Sequence, residues 1–171
     1  MNETMQTILT RRSTRKFQNK PIPEADLDQI IQAALHAPSG MGKQTWQFTV
    51  VKNRDKIQRL AAVIARVLGR EGYDMYAPEV LIIPSNDKES RFGKEDNACA
   101  LENIFLAAHS LGIGSVWINQ LQNICDDAEI RRELTALGIP ENHIVYGMAA
   151  LGYPDDVKAE RALIGRVGVV E

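Results

Sequence analysis

Residues 96–111 read DNACALENIFLAAHSL, a run of Ala, Leu, Ile and Phe with few polar interruptions at Asn97, Glu102, Asn103, His109 and Ser110. Apolar side chains on nearly every helical face predict a helix buried on most sides, the central helix of its domain. Gly112-Ile113-Gly114 follows as a helix C-cap and turn. Downstream, 115–118 and 144–151 read as strands on either side of a helix around 129–137, and Gly152-Tyr153-Pro154 opens a polar tail. Upstream, 46–51 reads as a strand, 54–68 as a helix ending at Gly69, and 80–83 as a short buried strand.

The first third of the chain carries two amphipathic helices. Residues 3–12 place Met5, Ile8 and Leu9 on one face, and 24–37 place Leu27, Ile30, Ile31, Ala34 and Leu35 on another. The second follows Pro23, has Glu24 and Asp26 in its first turn, and stops at Pro38-Ser39-Gly40. Neither an internal repeat nor a low-complexity linker interrupts the chain, so one domain over residues 1–171 is expected.

At 171 residues, 44% hydrophobic and 25% charged, the chain can bury a real core. A net charge of −2 argues against bulk nucleic acid or an anionic membrane as the main partner. No apolar run is long enough to span a bilayer and no leader pattern opens the chain, so a soluble cytoplasmic protein is expected. Cys99 and Cys125 form no CxxC, and His36, His109 and His143 have no metal-ligand spacing, so neither a disulfide nor a metal site is expected.

Against this balanced background, residues 11–17 read Arg-Arg-Ser-Thr-Arg-Lys-Phe, four cations and two hydroxyls in seven positions. Guanidinium forks match phosphate oxygens, and a neighbouring hydroxyl can complete the cradle. A solvated basic face or a nucleic-acid contact is the alternative on residue chemistry alone. The Ser39–Gln44 loop is no P-loop, because Ala37 and Gln44 stand where Gly and Ser/Thr are required and the loop follows a helix. Gly112-Ile113-Gly114 lacks the third glycine of a dinucleotide fingerprint and lies between a helix and a strand.

Five features occur in order: Arg11 to Phe17, the Ala37-Pro38-Ser39-Gly40-Met41-Gly42-Lys43-Gln44 loop, the strand entered at Trp46, the Leu106 to Gly114 helix end, and Leu151-Gly152-Tyr153-Pro154. Together they resemble the FMN-dependent nitroreductase family over almost the whole length, and the Ser-Gly-Met-Gly-Lys-Gln loop is similar to that of a short subgroup. The resemblance implies an α+β, three-layer fold with a mainly antiparallel mixed sheet flanked by helices. It also implies an intertwined homodimer with FMN at the subunit interface.

By position, the resemblance gives Arg11 and Ser13, with help from Arg12, to the FMN phosphate, and Arg15 to the N1 and C2 carbonyl edge of the flavin. Pro38, Ser39, Gly40, Met41, Lys43 and Gln44 would cover the cofactor from the partner subunit. Asn119 and Gln120 stand where backbone groups approach N5 and O4, and Arg161 or Arg166 would return to the phosphate.

The implied activity is ping-pong hydride transfer through flavin N5. NADH or NADPH is the donor, and a nitroaromatic, a quinone or another small oxidised molecule is the acceptor. The flavin carries the chemistry, so no catalytic side chain is assigned. Reductive dehalogenation and non-catalytic FMN binding are the alternatives.

The chain departs from the family pattern in three places. Gly42 and Thr45 stand where many members have Asn and Pro, and the Lys or Asn pair of longer members has no match in 70–76. The short stretch 84–95 implies a less covered pocket.

Overall fold

The computed structural model describes residues 1–156 and 161–171. Helices α1 (Glu3–Thr10) and α2 (Glu24–Leu35) precede strand β1 (Trp46–Val51), helix α3 (Arg54–Leu68) and strand β2 (Val80–Asp87). Helix α4 (Gly93–Ser110), strand β3 (Gly114–Ile118), helix α5 (Ala128–Ala136) and strands β4 (His143–Ile144) and β5 (Met148–Gly152) follow. The sheet order is β1-β2-β5-β3 with β4 beside the end of β2, and every ladder is antiparallel. Among the described residues, one parallel bridge, Ser13 to Ser115, gives the sheet its mixed character.

Alternate residues of β2 point to opposite faces, as strand geometry requires. Leu81 and Ile83 pack with Ile57, Leu60 and Ile64 of α3 and with Ile130 and Leu134 of α5. Val80 and Ile82 pack instead with Leu27 and Ile30 of α2 and with Leu101, Ile104 and Phe105 of α4. The result is a sheet between two helical layers. Each fully buried Ile or Leu contributes about 1.5–3 kcal/mol from apolar surface removed from water.

Local chemistry sets the element ends. Asn53 caps α3 by accepting the Lys56 N–H, and Gly69 closes it in the left-handed conformation at φ 61°. Gly112, at φ 73°, does the same after α4.

Two strand boundaries differ from the sequence expectation. β2 runs past Pro84 to Asp87, because Pro84 pairs with Phe48 on one side while β5 pairs no further than Ile82 on the other. The expected strand 144–151 divides into β4 and β5, leaving Gly147 against the Trp117 ring.

Both cysteines are free, Cys125 buried and Cys99 half-buried. Among the described residues, no helix is long and apolar enough to cross a membrane. Helix α1 has no buried residue, and its apolar side chains Met5, Ile8 and Leu9 stay about half exposed in the single chain.

Candidate cofactor site

At the end of α1 the chain turns extended at Arg11, whose N–H still bonds the Thr7 carbonyl. The cationic segment then lies along the sheet end. The Thr14 N–H donates to the Ser115 carbonyl at 2.9 Å, Phe17 bridges Pro154, and the Gln18 N–H donates to the Tyr153 carbonyl at 2.8 Å. Gly114 and Gly152 permit this close approach, since Thr14 and Phe17 fill the space where their side chains would stand. Thr14 is consequently buried while Arg15 and Lys16 remain exposed. Phe17 packs against the core on the α3 side.

A cavity of about 490 Å³ opens beside this segment, lined by Thr10, Arg12, Thr14, His109, Ser115 and Asp156 among others. Arg12 is pinned there, its Nη1 donating to the Leu9 and Arg11 carbonyls at 2.9 and 2.8 Å. Its Nε is buried and has no hydrogen-bond partner among the described residues. Leaving such a donor unmet costs about 1–3 kcal/mol or more for a charged group. The side chains of Arg11 and Ser13 likewise make no hydrogen bond or ion pair among the described residues. An unmet guanidinium donor on a residue that lines the cavity, with an uncommitted Arg and Ser beside it in the chain, fits a phosphate group.

His109 closes the α1 side of the cavity, with Nε2 2.8 Å from Thr10 Oγ1. Burial, and then the charges of Arg11 and Arg12, push its pKa below the ordinary value of 6.5. The imidazole is therefore neutral at neutral pH, and the positive field belongs to the arginines. The sequence marked His109 only as a polar break in α4, because its partner Thr10 lies 99 positions away.

Arg15 points elsewhere, with its guanidinium carbon 5.9 Å from the centroid of the Tyr76 ring. Tyr76 sits in a run of three non-glycine residues with positive φ: Met75 at 54°, Tyr76 at 67° and Ala77 at 44°. Each left-handed position costs about 1–2 kcal/mol for a residue with a Cβ. No sequence signal marks this turn, because such conformations are the habit of glycine and asparagine.

The Pro38–Gln44 loop lies at the opposite end of α4. The Gly40 N–H donates to Asp96 Oδ1 at 2.8 Å, and the Gln44 N–H donates to Ser39 Oγ at 2.8 Å. Met41 is 79% exposed, and Pro38, Lys43 and Gln44 are exposed too. Asp96, which holds this loop, and His109 stand well apart along α4, about 20 Å at the helical rise. Within one chain, then, Arg11 to Arg15 meet Ser115 and Tyr76 but not the loop.

Asn119 and Gln120 follow β3. The Asn119 N–H donates to Gln120 Oε1 at 3.0 Å, and Trp117 Nε1 donates to Asn119 Oδ1 at 3.3 Å. That backbone donor is thus covered by its neighbour's amide. Arg161 and Arg166 are exposed and make no hydrogen bond or ion pair among the described residues.

The model of the Nitroreductase family matches residues 8–77 and 70–153. A relative from Archaeoglobus fulgidus, with the provisional name NADH dehydrogenase/NAD(P)H nitroreductase, is 35% identical over 164 residues, covering 92% of this chain and 89% of its own. The NADPH-flavin oxidoreductase of Vibrio harveyi is 34% identical over 170 residues, covering 91% and 67%. The crystal structure of a nitroreductase with bound FMN from Bacteroides fragilis superposes with a TM-score of 0.91 at 44% identity, over 100% of both chains. The three-layer frame accords with these likenesses: the chain belongs to the nitroreductase family.

Proposed function

We propose that the chain is a single-domain, FMN-dependent oxidoreductase that takes electrons from NADH or NADPH and delivers them to a small oxidised acceptor. The observation that carries this reading is the buried Nε of Arg12, unpartnered among the described residues, on a side chain that lines a cavity of about 490 Å³, with the uncommitted side chains of Arg11 and Ser13 on either side of it in the chain. In this reading Arg11, Arg12 and Ser13 hold the phosphate, and Arg15 lies at the pyrimidine edge of the flavin. FMN, when bound, supplies two-electron transfer between nicotinamide and acceptor. The chain supplies orientation and charge, and a fixed cation at the pyrimidine edge favours the reduced form.

The same reading makes the active species a homodimer. The Pro38–Gln44 loop lies too far from Arg11 to close over the same cofactor, so a second copy contributes it. The half-exposed Met5, Ile8 and Leu9 of α1 offer apolar surface for that contact, as do the exposed Leu163, Ile164, Val167, Val169 and Val170 near the C-terminus. Arg161 or Arg166 reaches the phosphate in that assembly, and Asn119 and Gln120 adjoin the flavin ring. A cytoplasmic location suits an enzyme fed by NADH or NADPH.

The test is an absorption spectrum of the gently purified protein, recorded before and after NADH or NADPH is added without oxygen. Flavin bands that bleach on addition are expected. A colourless protein that cannot be reconstituted with FMN would overturn the reading. A yellow protein that neither nicotinamide bleaches would be a non-catalytic FMN binder. Acceptor panels of nitroaromatics, quinones and halogenated phenols then separate reduction from dehalogenation.

A further inference from the structure

Among the described residues, a single ring contact holds Arg15. Among the described residues its guanidinium makes no hydrogen bond or ion pair, and its sole ring contact is Tyr76 at 5.9 Å. A guanidinium on an exposed extended segment otherwise samples many rotamers. Its effect on a neighbouring charge depends on how much of the time it stays there.

Tyr76 is presented by a turn fixed at both ends. Met75 is fully buried in the core on the α3 side. The Tyr76 N–H donates to Asp74 Oδ1 at 2.8 Å, and the Ala77 N–H donates to the Asp74 carbonyl at 3.0 Å. Two residues further on, the Glu79 N–H donates to the Leu151 carbonyl at 3.0 Å, where the chain enters β2. Between these anchors the backbone holds three consecutive left-handed residues, none of them glycine. Strain of this kind persists only where the surroundings over-determine it, and it concentrates at functional sites. Here it turns Tyr76 outward, 38% exposed, to meet Arg15.

We propose that Tyr76 is the positioning residue of Arg15, its ring holding the guanidinium at the flavin edge where negative charge collects on two-electron reduction. This rests on the reading that FMN binds with Arg15 at its pyrimidine edge. The electrons come from NADH or NADPH, and Tyr76 neither gives nor takes a proton. Its role is electrostatic and geometric: the negative face of the ring attracts the cation and limits where it can go. It occupies the stretch of chain, 70–76, in which no residue matched the family's usual polar contacts.

The test is the midpoint potential of FMN bound to the holoenzyme, measured by dye-equilibrated titration for wild type, Tyr76→Leu, Tyr76→Phe, Tyr76→Gly and Arg15→Gln. Removing the ring in Tyr76→Leu lowers the preference for reduced over oxidised FMN roughly fivefold, about 20 mV for a two-electron couple. Tyr76→Phe keeps the ring and stays at the wild-type potential. Tyr76→Gly fits the left-handed turn better than tyrosine yet falls with Tyr76→Leu, which separates potential from folding. Adding Tyr76→Leu to Arg15→Gln lowers the potential no further, because Tyr76 acts through Arg15.

Unchanged potentials in Tyr76→Leu and Tyr76→Gly beside a lowered one in Arg15→Gln would overturn the role of Tyr76 and leave the flavin site standing. A Tyr76→Phe that behaves like Tyr76→Leu would overturn it too, since the hydroxyl and not the ring would be at work. An unchanged potential in Arg15→Gln would remove Arg15 from the flavin edge, and the proposal with it.

Discussion

A Cβ built on Gly114 would fall 2.6 Å from Thr14 Oγ1 and 2.7 Å from Thr14 Cβ. Thr14 is buried and its N–H is committed to the Ser115 carbonyl, so it has little room to withdraw. Gly114→Ala should therefore lift the cationic segment from the sheet end and destabilise the fold by about 1–3 kcal/mol, the range for forced overpacking. Urea unfolding and FMN retention measure the two effects. Thr14→Gly in the same chain should restore most of both, and a double variant no better than Gly114→Ala would show that the contact is not the cause.

That contact also shows where sequence reading stops. β1 and α3 are placed residue for residue, because Gly69 marks the helix end and β-branched and aromatic side chains mark the strand. The apolar run 80–83 marks only the first half of β2, and the pairing on each side is what shows that Pro84 has an unladdered edge. In the site, charge density exposed Arg11 to Lys16, whereas His109 and Tyr76 depend on partners far away in sequence. No local pattern encodes such a meeting.

His109 makes folding stability depend on pH. In the folded chain its pKa lies below 6.5, through burial first and then Arg11 and Arg12. Below about pH 6.5 the unfolded chain thus binds more protons than the folded one, and stability falls as the pH drops through this window. His143, which burial shifts in the same direction, adds to the loss, so the comparison must be with a variant. Urea unfolding at pH 7.5 and 5.5 should show a smaller loss for His109→Gln than for wild type. On the proposed reading saturating FMN should also reduce the wild-type loss, because a phosphate beside Arg11 and Arg12 would offset their charge. Equal losses in wild type and variant would mean that His109 does not titrate in this range.

Asn97 is fully buried in α4, and neither its Nδ2 nor its Oδ1 has a hydrogen-bond partner among the described residues. Helical spacing puts it in line with Gly93 and Leu101, the first packed against Asn86 and the second part of the apolar core beneath α2. Replacing an unsatisfied buried amide with an apolar side chain of similar shape removes a desolvation penalty. Asn97→Leu should raise the unfolding free energy by about 1–2 kcal/mol, read from urea midpoints at constant m-value. A drop instead would show that the amide is satisfied in solution by water or by a second copy.

The half-exposed apolar face of α1 bears on assembly. Met5, Ile8 and Leu9 are 43%, 45% and 50% exposed, on a helix with no fully buried residue in its own chain. Short helices have little stability of their own, so α1 needs a surface to pack on. If a second copy provides it, charges on this face oppose association without touching the internal core. Ile8→Glu with Leu9→Glu should weaken dimerisation on the order of tenfold or more, about 1.4 kcal/mol per tenfold. Sedimentation or light scattering across a dilution series measures this, with FMN content followed in parallel. On the proposed reading dimer and flavin are lost together, because there the Pro38–Gln44 loop would close the site from the other copy. A variant that becomes monomeric and keeps its FMN would place the whole binding site within one chain.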